Sequence, residues 1–248
     1  MGPFASGQSQ SLTMYEKSAQ LYDALYADKD YAKAAAQLQA VVEARLPRAA
    51  TLLDVGCGTG RHLEELCGRY QLVEGLDLSP DLLAVAKSRL PGVTLHHGDM
   101  TSFDLGKKFD VVVCLFSAIG YVETKERMRQ SIAAMSRHLE RGGLLILEPW
   151  FSPEKYWTGT ITANFVDQRD LKIAWMYTSE REGDVSVLDM TYLVGTPTGV
   201  SSFREVHRLG LFSNSEYEAA FAAAGLRAEY DPVGLFSRGL FIGQGQTA

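Results

Sequence analysis

A chain of 248 residues, 46% apolar and 22% charged, can bury one large core or two small ones and is not composed like a disordered polymer. Its net charge of −6, with no basic run or stripe, excludes the electrostatic footprint of a nucleic-acid binder. No apolar run reaches the roughly 18 residues of a membrane span, and Cys57, Cys67 and Cys114, without C-x-x-C spacing, give no metal pattern and fit a reducing cytoplasm.

Residues 1–13, rich in Ser, Gln and Gly, read as a flexible leader. The bare myristoylation pattern of Gly2 and Ser6 lacks the polybasic companion that stable anchoring needs. Periodicity then predicts helix over 15–46, ended by Pro47. "TLLDV" (51–55) is a short buried strand, followed by a glycine cluster and the helix "RHLEELCGRY". "LVEGLDL" is a second strand and "PDLLAVAKSRL" a helix with proline at its first turn. "VTLHHGD", "FDVVVCLF" and "LLILEPW" are three further strands, the last preceded by a helix around 125–140 that Gly142-Gly143 should close. Apolar strands alternating with helices through short loops predict a doubly wound, mostly parallel α/β sheet.

After Trp150 the pattern changes to polar alternation: "LKIAWMYTSE", "VSVLDMTYLVG" and "SFREVHRLGLF", with turns at 182–184 and 196–199. A helix, "SEYEAAFAAAG", and two strands, "RAEYDPV" and "RGLFIGQG", close the chain. The expected division is a leader (1–13), an α/β core with an N-terminal helical lid (14–150), a β-rich insertion or flap (151–212), and a segment completing the core sheet (213–248).

The strongest motif is "LLDVGCGTGRHLEEL", in which Gly56, Gly58 and Gly60 join a strand to a helix. Such a turn brings backbone close to a ligand, while the helix start offers free N–H groups. The spacing is G-x-G-x-G rather than the dinucleotide G-x-G-x-x-G, so spacing alone leaves the ligand open. Asp77 ends the second strand, 19 residues after Gly58, where a carboxylate can accept both hydroxyls of a ribose. Ser79 is free to cap the next helix, leaving Asp77 for that task. Asp99 and Met100, after the third strand, suit the edge and face of an adenine. Three strand ends in series describe a nucleoside pocket at the carboxyl edge of the sheet.

"LLDVGCGTG", "LDLS", "GDM" and "FDVVVCLFSAIGY", in this order, resemble the class I S-adenosylmethionine-dependent methyltransferases. With "MYEKSAQLYD", "LEPWFSPE" and "SRGLFIG" the chain resembles, from about Met14 to Gly243, the dTDP-amino-sugar N,N-dimethyltransferases of antibiotic deoxysugar pathways. The resemblance implies a Rossmann-like fold. The cofactor would be S-adenosylmethionine, with S-adenosylhomocysteine as product, and no metal. It sets Tyr22, Tyr31, Asp54, Gly56, Cys57, Gly58, Asp77, Leu78, Asp99, Met100 and Phe116 toward the cofactor. Tyr15 and Tyr121 would flank the reacting amine, with Ser117, Trp150 and Arg238 toward the sugar nucleotide, Arg238 pairing its diphosphate. Lys155 and Arg169 are lesser phosphate candidates. Tyr121 departs from the family, which carries histidine there. Each tyrosine has the alternative of packing alone, and a lone arginine that of a surface charge.

Methyl transfer to an amine is an in-line displacement in which positioning supplies roughly 7–11 kcal/mol. Deprotonating a sugar amine with a pKa of about 8 costs about 1.4 kcal/mol at neutral pH, so no strong base is required. The five histidines lack ligand spacing and read as structural or solvated. The competing expectations are methylation of another small N or O acceptor, a nucleic-acid methyltransferase, which would need a basic face, and an inactive cofactor-binding regulator. The expected partners are a nucleotide-sugar substrate and a second copy of the chain, in the cytoplasm, with neither nucleic acid nor membrane.

Overall fold

The computed structural model describes residues 18–245. It opens on a 3₁₀ turn, Ala19–Leu21, that runs into a one-turn helix, α1 (Tyr22–Leu25), and then a longer one, α2 (Tyr31–Glu43). The helical stretch expected over 15–46, a short Tyr-rich segment followed by one that starts at Tyr31, is accordingly in two pieces, with a break at 26–30. The break follows from Asp30, which caps α2 by accepting the Lys33 N–H at 2.9 Å. The start of the predicted helix lies outside the described residues.

The alternating region follows as β1 (Thr51–Val55), α3 (Arg61–Leu66), β2 (Leu72–Asp77), α4 (Pro80–Arg89), β3 (Thr94–His97) and β4 (Phe109–Cys114). A 3₁₀ turn (Ala118–Val122), α5 (Lys125–Arg137) and β5 (Leu139–Leu147) complete it. Local chemistry sets the helix starts. Ser79 accepts the Leu82 N–H with Pro80 at the first position of α4, and Thr124 accepts the Arg127 N–H at the start of α5. Gly142-Gly143 do not close α5. They lie inside β5 at an irregularity, where Phe109 pairs with Leu139 but Val111 pairs with Leu144. The helix stops at His138, whose ring is held between the Ala134 carbonyl and the Leu105 N–H.

The insertion is a four-stranded antiparallel meander, β6 (Ile161–Asp167), β7 (Lys172–Glu182), β8 (Val185–Thr196) and β9 (Gly199–Gly210). The chain returns through α6 (Asn214–Ala223), started by a capping box between Ser213 and Glu216, to β10 (Leu226–Asp231) and β11 (Leu240–Gly245). The main sheet has the order β10-β11-β5-β4-β1-β2-β3. Strands β1 to β5 are parallel, while β11 runs antiparallel to both β5 and β10. The doubly wound, mostly parallel sheet with a β-rich insertion expected from the sequence is therefore the fold.

Both faces of the main sheet are covered, which explains its nearly continuous apolar strands. Leu52, Val111, Val113 and Ile146 face α2 and α3, where Leu38, Val42, Leu63 and Leu66 meet them. Leu53, Val112, Leu145 and Leu147 point the opposite way, onto Met128, Ile132 and Met135 of α5 and Phe221 of α6. A third cluster joins Leu25 of α1 to Ile173, Leu188, Met190 and Leu209 on the inner face of the meander. Strand β1 pairs with β2 on one side and β4 on the other, so the winding reverses there. The crevice outside such a switch point is where open α/β sheets bind ligands.

Candidate active site

A cavity of about 1120 Å³ fills this crevice, between the carboxyl ends of the parallel strands and the inner face of the meander. Of the residues singled out from sequence, Tyr22, Gly56, Gly58, Asp77, Leu78, Asp99, Met100, Phe116, Tyr121, Trp150 and Arg238 border it. Tyr31, Asp54, Cys57 and Ser117 lie behind its wall. Lys155 and Arg169 take no part in the lining, and Tyr15 falls outside the described residues.

The glycine turn is built by close approach. Gly56 and Cys57 both donate to the Leu76 carbonyl, at 2.7 and 3.1 Å. Gly56 has a φ of 78°, and a Cβ on it would lie 2.6 Å from the Ala118 Cβ. Gly58, at φ 55°, would direct a Cβ into open space on the cavity side. Its N–H donates to Asp77 Oδ2 at 2.8 Å, and the Ser79 N–H donates to Oδ1 at 2.8 Å. Ser79 caps α4 as expected, and Asp77 already has two partners. Two backbone donors orient it, and a carboxylate with about four acceptor sites keeps two for ligand hydroxyls. Burial raises its pKa against those two N–H bonds.

Asp54 lies beneath the turn, with burial first and the Asp77 charge second pushing its carboxyl up to about 8. Asp99 behaves oppositely. Burial pushes its carboxyl up, but bonds from the Thr101 N–H and hydroxyl, both 2.8 Å, and from Arg127 at 3.0 Å hold it below its ordinary value. It stays an ionised acceptor at the cavity edge.

The end of β4 is a strained turn. Phe116 and Ser117 both adopt positive φ, 50° and 63°, which costs a residue with a Cβ roughly 1–2 kcal/mol. Three side-chain bonds stabilise it. Glu148, wholly buried at the end of β5, accepts the Phe116 N–H at 2.7 Å. The Ser117 hydroxyl donates to the Pro149 carbonyl at 2.7 Å and accepts from Arg238 at 3.1 Å. The Arg238 guanidinium lies 5.0 Å from the Phe116 ring centre and 5.1 Å from that of Trp150. Burial raises the Glu148 carboxyl to about 7 despite Arg238 nearby.

The lid and the meander close the other sides. Thr59 of the glycine turn donates to Asp23 of α1 at 2.8 Å, and Arg89 of α4 ion-pairs with the same carboxylate. Tyr26 stacks edge-on against Phe116 at 5.2 Å, and Tyr22 tilts against Tyr26 at 4.7 Å. Tyr31 turns away, packing on His62 with the Arg61 guanidinium 5.0 Å from its ring centre. Trp150 donates to the Ser186 hydroxyl of β8 at 2.9 Å, fixing the seam between the two sheets.

One histidine, read from sequence as structural or solvated, is buried and also reaches the cavity. His207 of β9 borders the cavity, and its Nδ1 lies 3.0 Å from the Tyr121 phenol. Glu148, Asp23 and Tyr26 were also missed. A histidine 86 residues from its partner leaves no local pattern, and only the return of β9 against the 3₁₀ turn joins them. Among the described residues no group of three or more His, Cys, Asp or Glu is arranged to hold a metal ion. No helix among them is long and apolar enough to cross a membrane.

The site can therefore hold a ribose and an adenine edge on two acidic strand ends, against a turn in which backbone comes close to the ligand. Comparison with known proteins agrees. Residues 52–143 match the methyltransferase domain family. The chain is 44% identical to the dTDP-3-amino-3,4,6-trideoxy-α-D-glucopyranose N,N-dimethyltransferase of Streptomyces venezuelae over 93% of its own length and 99% of that protein's. It is 40% identical to the dTDP-4-amino-2,3,4,6-tetradeoxy-D-glucose N,N-dimethyltransferase of Saccharopolyspora spinosa, with 91% of each covered. It superposes, with a TM-score of 0.84 and 42% identity, on the S-adenosylmethionine-bound structure of CalS10, an amino pentose methyltransferase from Micromonospora echinaspora involved in calicheamicin biosynthesis; the match covers 97% of this chain and all of that one.

Proposed function

The chain belongs to the dTDP-amino-sugar N,N-dimethyltransferases, which are S-adenosylmethionine-dependent enzymes, and on that premise we propose that it adds two methyl groups to the amine of a dTDP-linked deoxyamino sugar in an antibiotic pathway. The observation that carries the reading is one continuous cavity of about 1120 Å³. It exceeds the roughly 300–1,000 Å³ of ordinary ligand sites. Acidic strand ends border it on one side and Trp150, Trp175 and Tyr177 on the other.

Bound S-adenosylmethionine supplies a methyl group on a positively charged sulfur. Asp77 would accept the ribose hydroxyls and Asp99 the adenine amine, with Met100 on the cavity wall beside them offering the adenine an apolar surface. Asp54 and Cys57, behind the wall, support the turn, and Tyr31 braces the lid. Trp150 and the aromatic wall hold the sugar nucleotide, and Arg238 draws its diphosphate toward the strand end. Tyr15 and Tyr121 flank the amine and aim its lone pair, the step that positioning makes fast. The division into core (14–150), cover (151–212) and closing segment (213–248), a homodimer, and a cytoplasmic location belong to the same proposal.

The test is a methyl-transfer assay followed by mass spectrometry, with dTDP-3-amino and dTDP-4-amino deoxysugars offered separately. Dimethylated product from at least one of them is expected. Cofactor binding without transfer to any member of the panel would leave the second reading, methylation of another small N or O acceptor.

A further inference from the structure

Arg238, on the connection between β10 and β11, presents the cavity with a guanidinium whose described partners are neutral. They are the Ser117 hydroxyl at 3.1 Å and the rings of Phe116, Trp150 and Phe151, whose centres lie 5.0, 5.1 and 6.0 Å away. Behind the wall lies Glu148, with no exposed surface. Its Oε2 accepts the Phe116 N–H at 2.7 Å, and the Phe236 N–H also faces the carboxyl. Pro149, the next residue, accepts the Ser117 hydroxyl at 2.7 Å. Carboxyl and guanidinium therefore grip the same two strained residues, Phe116 and Ser117, and the charge of Arg238 reaches Glu148.

Arg238 thus answers to two anions, the buried carboxylate and the diphosphate of a bound sugar nucleotide. The two repel each other across one guanidinium, and water screens a buried charge poorly. A diphosphate esterified at both ends takes up no proton near neutrality. The carboxyl does, because burial already lifts it to about 7. In its neutral form it still accepts the Phe116 N–H through the carbonyl oxygen. The turn then keeps its shape, and the whole guanidinium charge is left to the ligand.

We infer that nucleotide binding is proton-linked through Glu148: a diphosphate that settles on Arg238 draws a proton from solvent onto the buried carboxyl, and neutral Glu148 is the positioning form that holds the strand-end turn and releases Arg238 to the ligand. The inference rests on the sugar-nucleotide reading above. Around the pair, the Cys114 thiol of β4 feels Glu148, and burial keeps it neutral. Asp54 of β1, Asp77 of β2 and Tyr217 of α6 reach that thiol in turn. Tyr26 of the lid feels Arg238, and burial raises its phenol. Ligand binding lifts a carboxyl that burial has already raised. Affinity is therefore fullest below about pH 7 and declines as pH rises through that value.

Calorimetry of thymidine diphosphate binding at about pH 7.5, in two buffers of different ionisation enthalpy, counts the protons exchanged. The terminal phosphate is ionised there, since its last proton leaves at about pH 6. A hold on the proton about tenfold stronger in the complex gives an uptake of about half a proton per nucleotide, and a Kd about fourfold weaker at pH 8.5 than at pH 7. Glu148→Gln keeps an acceptor for the Phe116 N–H but cannot ionise, and both effects are expected to vanish in it. Asp54 and His207 are present in both proteins, so the difference between the two isolates Glu148. Equal proton counts in wild type and variant, or a smaller uptake by the wild type, overturn the inference. Infrared difference spectra of the wild type decide the point without a variant: the signal of a protonated carboxyl must grow when the nucleotide binds, and no growth overturns the inference. A wild type that binds S-adenosylmethionine but no thymidine diphosphate overturns the sugar-nucleotide reading first and this inference with it.

Discussion

Gly56 holds a φ of 78°, and a Cβ placed on it would lie 2.6 Å from the Cβ of Ala118. Gly56→Ala therefore acts in two ways. The backbone conformation costs about 1–2 kcal/mol, and the added methyl group drives the strand end that follows β4 away from the turn. Lower thermal stability and at least tenfold weaker S-adenosylmethionine binding by calorimetry are expected; unchanged affinity would mean that the turn does not hold the cofactor. At this scale the sequence was informative wherever function needs a fixed offset from a strand end, as at Gly56, Asp77 and Asp99. It was silent on His207 and Glu148, whose places depend on how distant strands return. It gave no sign of the two N–H groups that orient the Asp77 carboxylate, because they become its partners only in the folded turn.

The turn after β4 shows how elements cooperate. Two residues at positive φ, Phe116 and Ser117, are held by a buried carboxyl on the next strand, so β4 and β5 jointly aim the strand end into the cavity. The arrangement has a pH signature. Burial raises the Glu148 carboxyl from an ordinary 4.5 to about 7. A folded-state value above the unfolded one means that stability is fully present below about pH 4.5 and is lost as pH rises through about 7. Glu148→Gln keeps an acceptor for the Phe116 N–H and removes the ionisation. The variant is expected to gain on the wild type by about 2 kcal/mol between pH 5 and pH 8, read from denaturant midpoints; parallel curves would show that Glu148 does not titrate in this window. The legibility of elements follows the same physics. Strands β1 to β5 were readable because burial on both faces makes them continuous apolar runs. Strand β6, "ITANFVD", is a half-exposed edge strand and carries no such run. Gly142-Gly143 resemble a helix stop, yet they serve a strand irregularity that only the pairing with β4 reveals.

For the whole molecule, the question is whether two packed sheets make one binding site. On the proposed reading the cofactor half would lie against the main sheet and the lid, and the acceptor half would need the meander, joined to the main sheet by Trp150 on Ser186 and by Gly120, whose missing Cβ would lie 3.0 Å from Leu209. The lid is tied to both halves, through Asp23 to the glycine turn and through Leu25 to the inner face of the meander. Thymidine diphosphate, which has the nucleotide but no amine, should therefore stabilise the protein without any chemistry. At a hundredfold excess over its Kd the gain is about 2.7 kcal/mol, or a rise of about 5–10 °C in Tm for a chain of this size. S-adenosylmethionine should add a separate increment, because ligands on different walls stabilise nearly independently. Trp150→Ala is expected to shrink the nucleotide increment and leave the cofactor increment in place. A wild type that responds to S-adenosylmethionine but shows no shift with saturating thymidine diphosphate would move the acceptor outside the nucleotide sugars. Loss of both increments in the Trp150 variant would instead mean that the seam supports the whole cavity, with the tryptophan acting on the fold rather than on the nucleotide.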